Sequence, residues 1–97
     1  MYIVKTAVAG TLESSDVMIT IEPNQSGIEI TLNSTVEKQF GDAIRNTIVN
    51  TLLELGVENA AVKVIDKGAL DCVIVARTRT SAYRAAACDD FCWGSLK

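Results

Sequence analysis

The sequence contains no histidine, a single proline and few aromatic residues: one tryptophan, two tyrosines and two phenylalanines. Without histidine the chain lacks the usual general base near neutral pH, and so the Ser-His and Cys-His nucleophile pairs. It has no glycine-rich phosphate loop either. Three cysteines, Cys72, Cys88 and Cys92, make an odd count that does not suit a secreted disulfide framework. Cys88-x-x-x-Cys92 has a loose metal-ligand spacing. With no histidine to complete it, free thiols are the better reading, and no metal site is expected. No run approaches the roughly 18 apolar residues of a membrane span. Met1-Tyr2-Ile3-Val4-Lys5-Thr6 lacks the charged start and apolar stretch of a secretory leader. The chain therefore reads as cytoplasmic, with no membrane partner.

Basic runs are missing as well. The formal net charge is −3 and no Lys/Arg-rich stretch alternates with aromatics, so a nucleic acid is not an expected partner. The acidity is uneven. Residues 1–33 carry Glu13, Asp16, Glu22 and Glu29 against Lys5, whereas residues 57–97 are slightly basic. An acidic face could steer a basic partner, although a solvated surface accounts for it too.

What remains is an ordinary globular composition, 48% hydrophobic and 22% charged over 97 residues. That length suits one domain, residues 1–97, with a core built from Val, Ile, Leu and Ala. A flexible tail is expected from about residue 83. Val17-Met18-Ile19-Thr20-Ile21-Glu22 and Ile28-Glu29-Ile30-Thr31-Leu32 alternate as half-buried strands do. The turn chemistry of Pro23-Asn24-Gln25-Ser26-Gly27 between them predicts a hairpin. Ser34-Thr35-Val36-Glu37 reads as a capping box opening a helix over about 34–55. Its apolar stripe is Val36, Phe40, Ile44, Ile48 and Leu52, flanked by Ala43, Thr51 and Leu55, and Gly56 stops it. Residues 61–65 read as a strand and Asp66-Lys67-Gly68 as a turn. The consecutive apolar residues Cys72, Val73, Ile74 and Val75 read as a central strand over 70–76. Residues 3–9 form a weaker strand pattern, and 80–90 a short helix. The expected fold is α+β, a two-layer sandwich of one long helix packed on an antiparallel or mixed β-sheet.

Carboxylate pairs offer little chemistry. Glu13 and Asp16, like Asp66 and Asp71, are spaced as turn residues are, and no catalytic residue is assigned. Gly10-Thr11-Leu12-Glu13-Ser14-Ser15-Asp16 is a polar break between two strands, rich in small residues and hydroxyls. It reads either as a turn whose serines satisfy local backbone donors, or as an exposed attachment point.

This segment lies in a longer stretch, from Ala7-Val8-Ala9-Gly10 through Ser14-Ser15-Asp16-Val17-Met18-Ile19, that resembles the N-terminal signature of the citrate lyase acyl carrier (gamma chain) family. Val36-Glu37-Lys38-Gln39-Phe40-Gly41-Asp42-Ala43-Ile44-Arg45 and Asp66-Lys67-Gly68-Ala69-Leu70-Asp71-Cys72 resemble later blocks of that family, in the same order. The resemblance implies a non-catalytic carrier subunit of an enzyme complex, used in citrate fermentation. It implies a 2′-(5″-phosphoribosyl)-3′-dephospho-coenzyme A arm linked covalently to Ser14 by a prosthetic-group transferase. Acetyl and citryl thioesters on the arm would be presented to an alpha (transferase) and a beta (lyase) subunit. Ser15 stands where the family pattern leads one to expect glycine. If the strand pattern extends back through Asp16, Ser15 shares the side of Val17 and turns partly toward the core, leaving Ser14 outward. The related malonate decarboxylase carrier, or an unmodified interaction module, are the alternatives.

Overall fold

The computed structural model describes residues 1–34 and 37–86, with the backbone only for 37–39. Its elements run β1 (Ala7–Gly10), β2 (Val17–Glu22), β3 (Ile28–Ser34), α1 (Glu37–Glu54), β4 (Ala60–Asp66) and α2 (Asp71–Ala85). The strands form one mixed sheet in the order β1-β2-β4-β3. Both helices cover the same face: α2 packs over β1 and β2, α1 over β3, and the helices pack on each other. The class is α+β in two layers, as the patterns imply, but with a second long helix.

Period-two alternation builds the sheet. In β2, Val17, Ile19 and Ile21 are fully buried beneath the helices, and Met18, Thr20 and Glu22 lie on the other face. β4 repeats this with Ala60, Val62, Val64 and Asp66 inward. Ala61 and Ile65 on its outer face are still half-buried, as suits a strand flanked on both sides. That requirement overturns the expected hairpin. β4 inserts between β2 and β3, antiparallel to the first (Ile19 opposite Val64) and parallel to the second (Leu32 opposite Val64). Residues 23–27 therefore step across one intervening strand, about 10 Å, which five residues span easily. Parallel pairing of β3 with β4 needs a crossover, and α1 supplies it. The hairpin that does form joins β1 to β2, with Ala9 opposite Ile19.

The stripe of α1 is buried at Ile44, Ile48, Leu52 and Thr51. Burying a side chain such as Ile48 stabilises the fold by about 1.5–3 kcal/mol. Phe40 departs from the pattern: it is 53% exposed, and Ala43 beside it is exposed too. Val36 and the Glu37 side of the expected capping box lie outside the described residues and side chains. Ser34 itself is the last residue of β3, and its hydroxyl donates to Asp66 Oδ2 at 2.7 Å.

The strand expected over 70–76 is the start of α2. A short apolar run does not distinguish a strand from a helix. The helical face continues as Ile74, Thr78, Ser81, Ala82 and Ala85, all buried. Thr78 and Ser81 are accommodated because their hydroxyls donate back to the Ile74 and Thr78 carbonyls at 2.7 and 2.9 Å. Residues 83–85 are the last turn of α2. The rest of the expected tail, with Cys88 and Cys92, lies outside the described residues. Cys72 is an exposed free thiol near the start of α2. No described helix is long and apolar enough to cross a membrane.

Candidate functional site

The topology gathers several chain segments at one end of the molecule. β1 and β3 end there, β2 begins there, and β4 ends there before the turn that leads into α2. The loop 11–16 closes this end. Gly10 is indispensable to its entry: with φ +97°, a Cβ built on it would stand 1.8 Å from the Val17 carbonyl oxygen. No side chain fits.

Asp16 anchors the loop. Its Oδ1 accepts from the Val17 N–H at 2.7 Å and from Arg77 Nε at 3.1 Å. Its Oδ2 accepts from Arg77 Nη2 at 3.0 Å and from the Thr11 hydroxyl at 2.6 Å. Thr11 Oγ1 in turn accepts the Glu13 N–H at 3.2 Å. The bidentate guanidinium, then the Thr11 and Val17 donors, hold the Asp16 carboxyl well below the usual carboxylate range. The Asp16 side chain is 14% exposed. A half-exposed arginine on α2 thus fixes a loop 61 residues away in sequence.

Above this base, the Asp16 N–H donates to the Glu13 carbonyl at 3.1 Å, closing a four-residue β-turn. Ser14 is its second residue and Ser15 its third. Ser15 has φ +64°, the left-handed value that a type II turn requires at that place and that glycine adopts without strain. The expectation of glycine at 15 therefore has a backbone cause. Ser15 does not turn toward the core: β2 begins only at Val17, and both serines are exposed. The Ser15 backbone is held nonetheless. Its N–H donates to the Lys67 carbonyl at 2.8 Å, and the Lys67 N–H donates to the Asp16 carbonyl at 2.9 Å. The Ser14 hydroxyl makes no hydrogen bond among the described residues, so an exposed primary alcohol sits at the corner of a turn whose base is fixed. That arrangement fits a covalent phosphodiester.

The other carboxylates take structural places. Asp66, 1% exposed, accepts from Ser34 and from the Ala69 N–H at 2.9 Å, which fixes the turn 66–69 beside the loop. Glu13 and Asp71 are exposed. Among the described residues no cluster of histidine, cysteine or acidic side chains could hold a metal. Arg77 is the residue the sequence patterns missed. The nearest signal is helical: Arg77 and Arg84 are seven apart on α2, and Arg84 donates to the Val8 carbonyl at 2.8 Å.

The chain matches a family model described as "ACP: Malonate decarboxylase delta subunit (MdcD)" over residues 4–85. It is 56% identical over 92 residues to a citrate lyase acyl carrier protein of Fusobacterium nucleatum, spanning 94% of this chain and 98% of that one. Against the citrate lyase acyl carrier proteins of Streptococcus uberis and Lacticaseibacillus casei it is 56% identical over 96 residues, covering 99% of this chain and 95% of each relative. The fold matches a chain of a Pseudomonas malonate decarboxylase hetero-tetramer crystallised with malonate. The TM-score is 0.73 at 19% identity, with 88% of both chains covered.

Proposed function

The chain belongs to the citrate lyase acyl carrier protein family, and on that premise we propose that Ser14 carries a covalent 2′-(5″-phosphoribosyl)-3′-dephospho-coenzyme A arm presented to the alpha transferase and beta lyase subunits. The supporting observation is the geometry of Ser14: an exposed hydroxyl, free of hydrogen bonds among the described residues, at a turn corner pinned by Asp16, Arg77 and Thr11. When bound, the arm supplies a terminal thiol, and a thioester eases C–C cleavage beside its carbonyl. This chain's own residues present and orient. Gly10, Asp16 and Arg77 set the direction in which the turn projects. Glu13 and Ser15 flank the hydroxyl without blocking it. With no histidine in the sequence, activation of the Ser14 hydroxyl is left to the prosthetic-group transferase, and acyl chemistry to the partner subunits.

A second reading, the carrier of a malonate decarboxylase, draws on the family model's description. The 56% identity to citrate lyase carriers over nearly the whole chain favours the first. Co-expression with the prosthetic-group transferase and its precursor, followed by peptide fragmentation, tests the site. Ser14→Ala should abolish the mass increase and Ser15→Ala should retain it. The reverse pattern would move the arm to Ser15, and no adduct in the wild type would leave an unmodified interaction module.

A further inference from the structure

An apolar groove of about 440 Å³ lies between the start of α1 and the turn that leads into α2. It is lined by Phe40, Ala43 and Ile44 from α1 and by Gly68, Ala69, Leu70 and Asp71 from the turn and the start of α2. Two of its large apolar side chains are open to solvent, Phe40 at 53% and Leu70 at 70% exposure. The Phe40 exposure is the point at which α1 abandons its buried stripe.

The groove starts where the attachment loop ends. The Ser15 N–H and the Lys67 carbonyl are joined at 2.8 Å. Ser14 and Gly68 are the covalent neighbours of those two residues, so one hydrogen bond separates the attachment residue from the groove wall. That wall is held in place, since Asp66 accepts the Ala69 N–H. We propose that this groove is a resting cradle for the arm, an inference that rests on Ser14 being the attachment residue.

The lining selects which part of the arm it takes. Among the described lining residues Asp71 is the one that carries a charge and would repel phosphates, so the methylene- and amide-rich segment toward the thiol lies against Phe40 and Leu70, and the nucleotide portion stays at the loop. The size suits a small-molecule segment, for which sites run from about 300 to 1,000 Å³. A protein partner would need about 800 Å² of matched surface on each side. Tethering removes the need for tight binding. At an effective concentration of order millimolar, a groove with millimolar intrinsic affinity is about half occupied. It protects the thiol part of the time and releases it readily to a partner's active site.

The test uses the full chain, with Cys72, Cys88 and Cys92 each replaced by Ser, loaded by the transferase and checked by fragmentation. Loading should shift the NMR signals of Gly68, Ala69, Leu70 and the Phe40 ring, as well as those of residues 11–16. Alkylation of the arm thiol by iodoacetamide should run about twofold slower than that of free coenzyme A. Phe40→Ser with Leu70→Ser, both solvent-exposed positions, should return the rate to that of free coenzyme A with the fold intact by circular dichroism. An adduct on Ser14 with shifts confined to residues 11–16 and an unretarded thiol would overturn the cradle and leave the attachment reading standing. Groove shifts that appear only when partner subunits are added would overturn it in favour of a docking surface. No adduct at all would remove both.

Discussion

β2 is entered by one loop and left by another, and the two are built on different principles. Residues 11–16 are held from outside. A salt bridge reaches α2, two backbone hydrogen bonds reach Lys67, and Gly10 lies against the backbone of Val17. Residues 23–27 are held by neutral amides. Asn24 bonds within the turn to the Gly27 carbonyl and the Gln25 N–H. Asn59 receives the Gly27 N–H at 2.9 Å. Gly27 also has positive φ, +92°, yet nothing lies within 4 Å of a Cβ placed on it. The second loop only has to turn the chain. Both loops are tied to residues distant in sequence, but only the first adds an ion pair to a helix and a close backbone approach, which leave its base fixed while the Ser14 hydroxyl projects free.

The contrast is broken most strongly at the glycines. Gly10→Ala combines backbone strain with a clash against the main chain and should cost about 3 kcal/mol or more. Gly27→Ala carries the strain only, about 1–2 kcal/mol. Urea titrations of both variants check the difference, and equal losses would mean the close approach at Gly10 is relieved at no cost.

The next difference lies in pH. The folded-state pKa of Asp16 is depressed below its unfolded value, which is about 3.9 for an ordinary aspartate. Its contribution to stability is therefore present above about pH 4–5 and lost as pH falls toward the folded value. The urea midpoint of Asp16→Asn should be lower than wild type at pH 6 and flatter in pH below about 4. Residues 23–27 contain no ionisable side chain and supply no such acid limb.

On the other side of β2, Asn59→Ala should cost about 0.5–1 kcal/mol, because water replaces the lost partner of an exposed N–H. The smallest effect has the opposite sign. Ser15→Gly relieves a left-handed residue, worth about 1–2 kcal/mol, but adds about 0.5–1 kcal/mol of unfolded-state freedom. A net gain of about 0.5 kcal/mol should appear as a small rise in melting temperature, with the loop's NMR signals otherwise unchanged.

Periodicity revealed what depends on neighbours along the chain. β2, β3, β4 and most of α1 are visible because apolar residues recur at spacings of two or four. The order of strands is not, since alternation at Ile28 to Leu32 is the same whether its partner is β2 or β4. α2 is hidden because two of its five buried residues are hydroxylic, and Thr78 and Ser81 read as polar until their backbone bonds are known. In the candidate site, the polar break between two strands and its exposed serines are legible from the residue types, and the choice of Ser14 rests on the family resemblance. Arg77 is not legible, as a contact between residues 16 and 77 leaves no local trace.

The placement of β4 at the centre of the sheet also governs how the chain assembles as it is made. The element that zips β2 to β3 occupies residues 60–66 and is therefore the last of the described strands to be synthesised. Until it emerges, the β1–β2 hairpin and β3 have no common partner, and their apolar faces and strand edges stay open. Pairing is then dominated by contacts distant in sequence, which makes closure slow compared with forming either helix. At about 5–20 residues per second, the nascent chain spends seconds with those edges exposed, and the same late strand that completes the sheet also brings the turn 66–69 against the loop of Ser14.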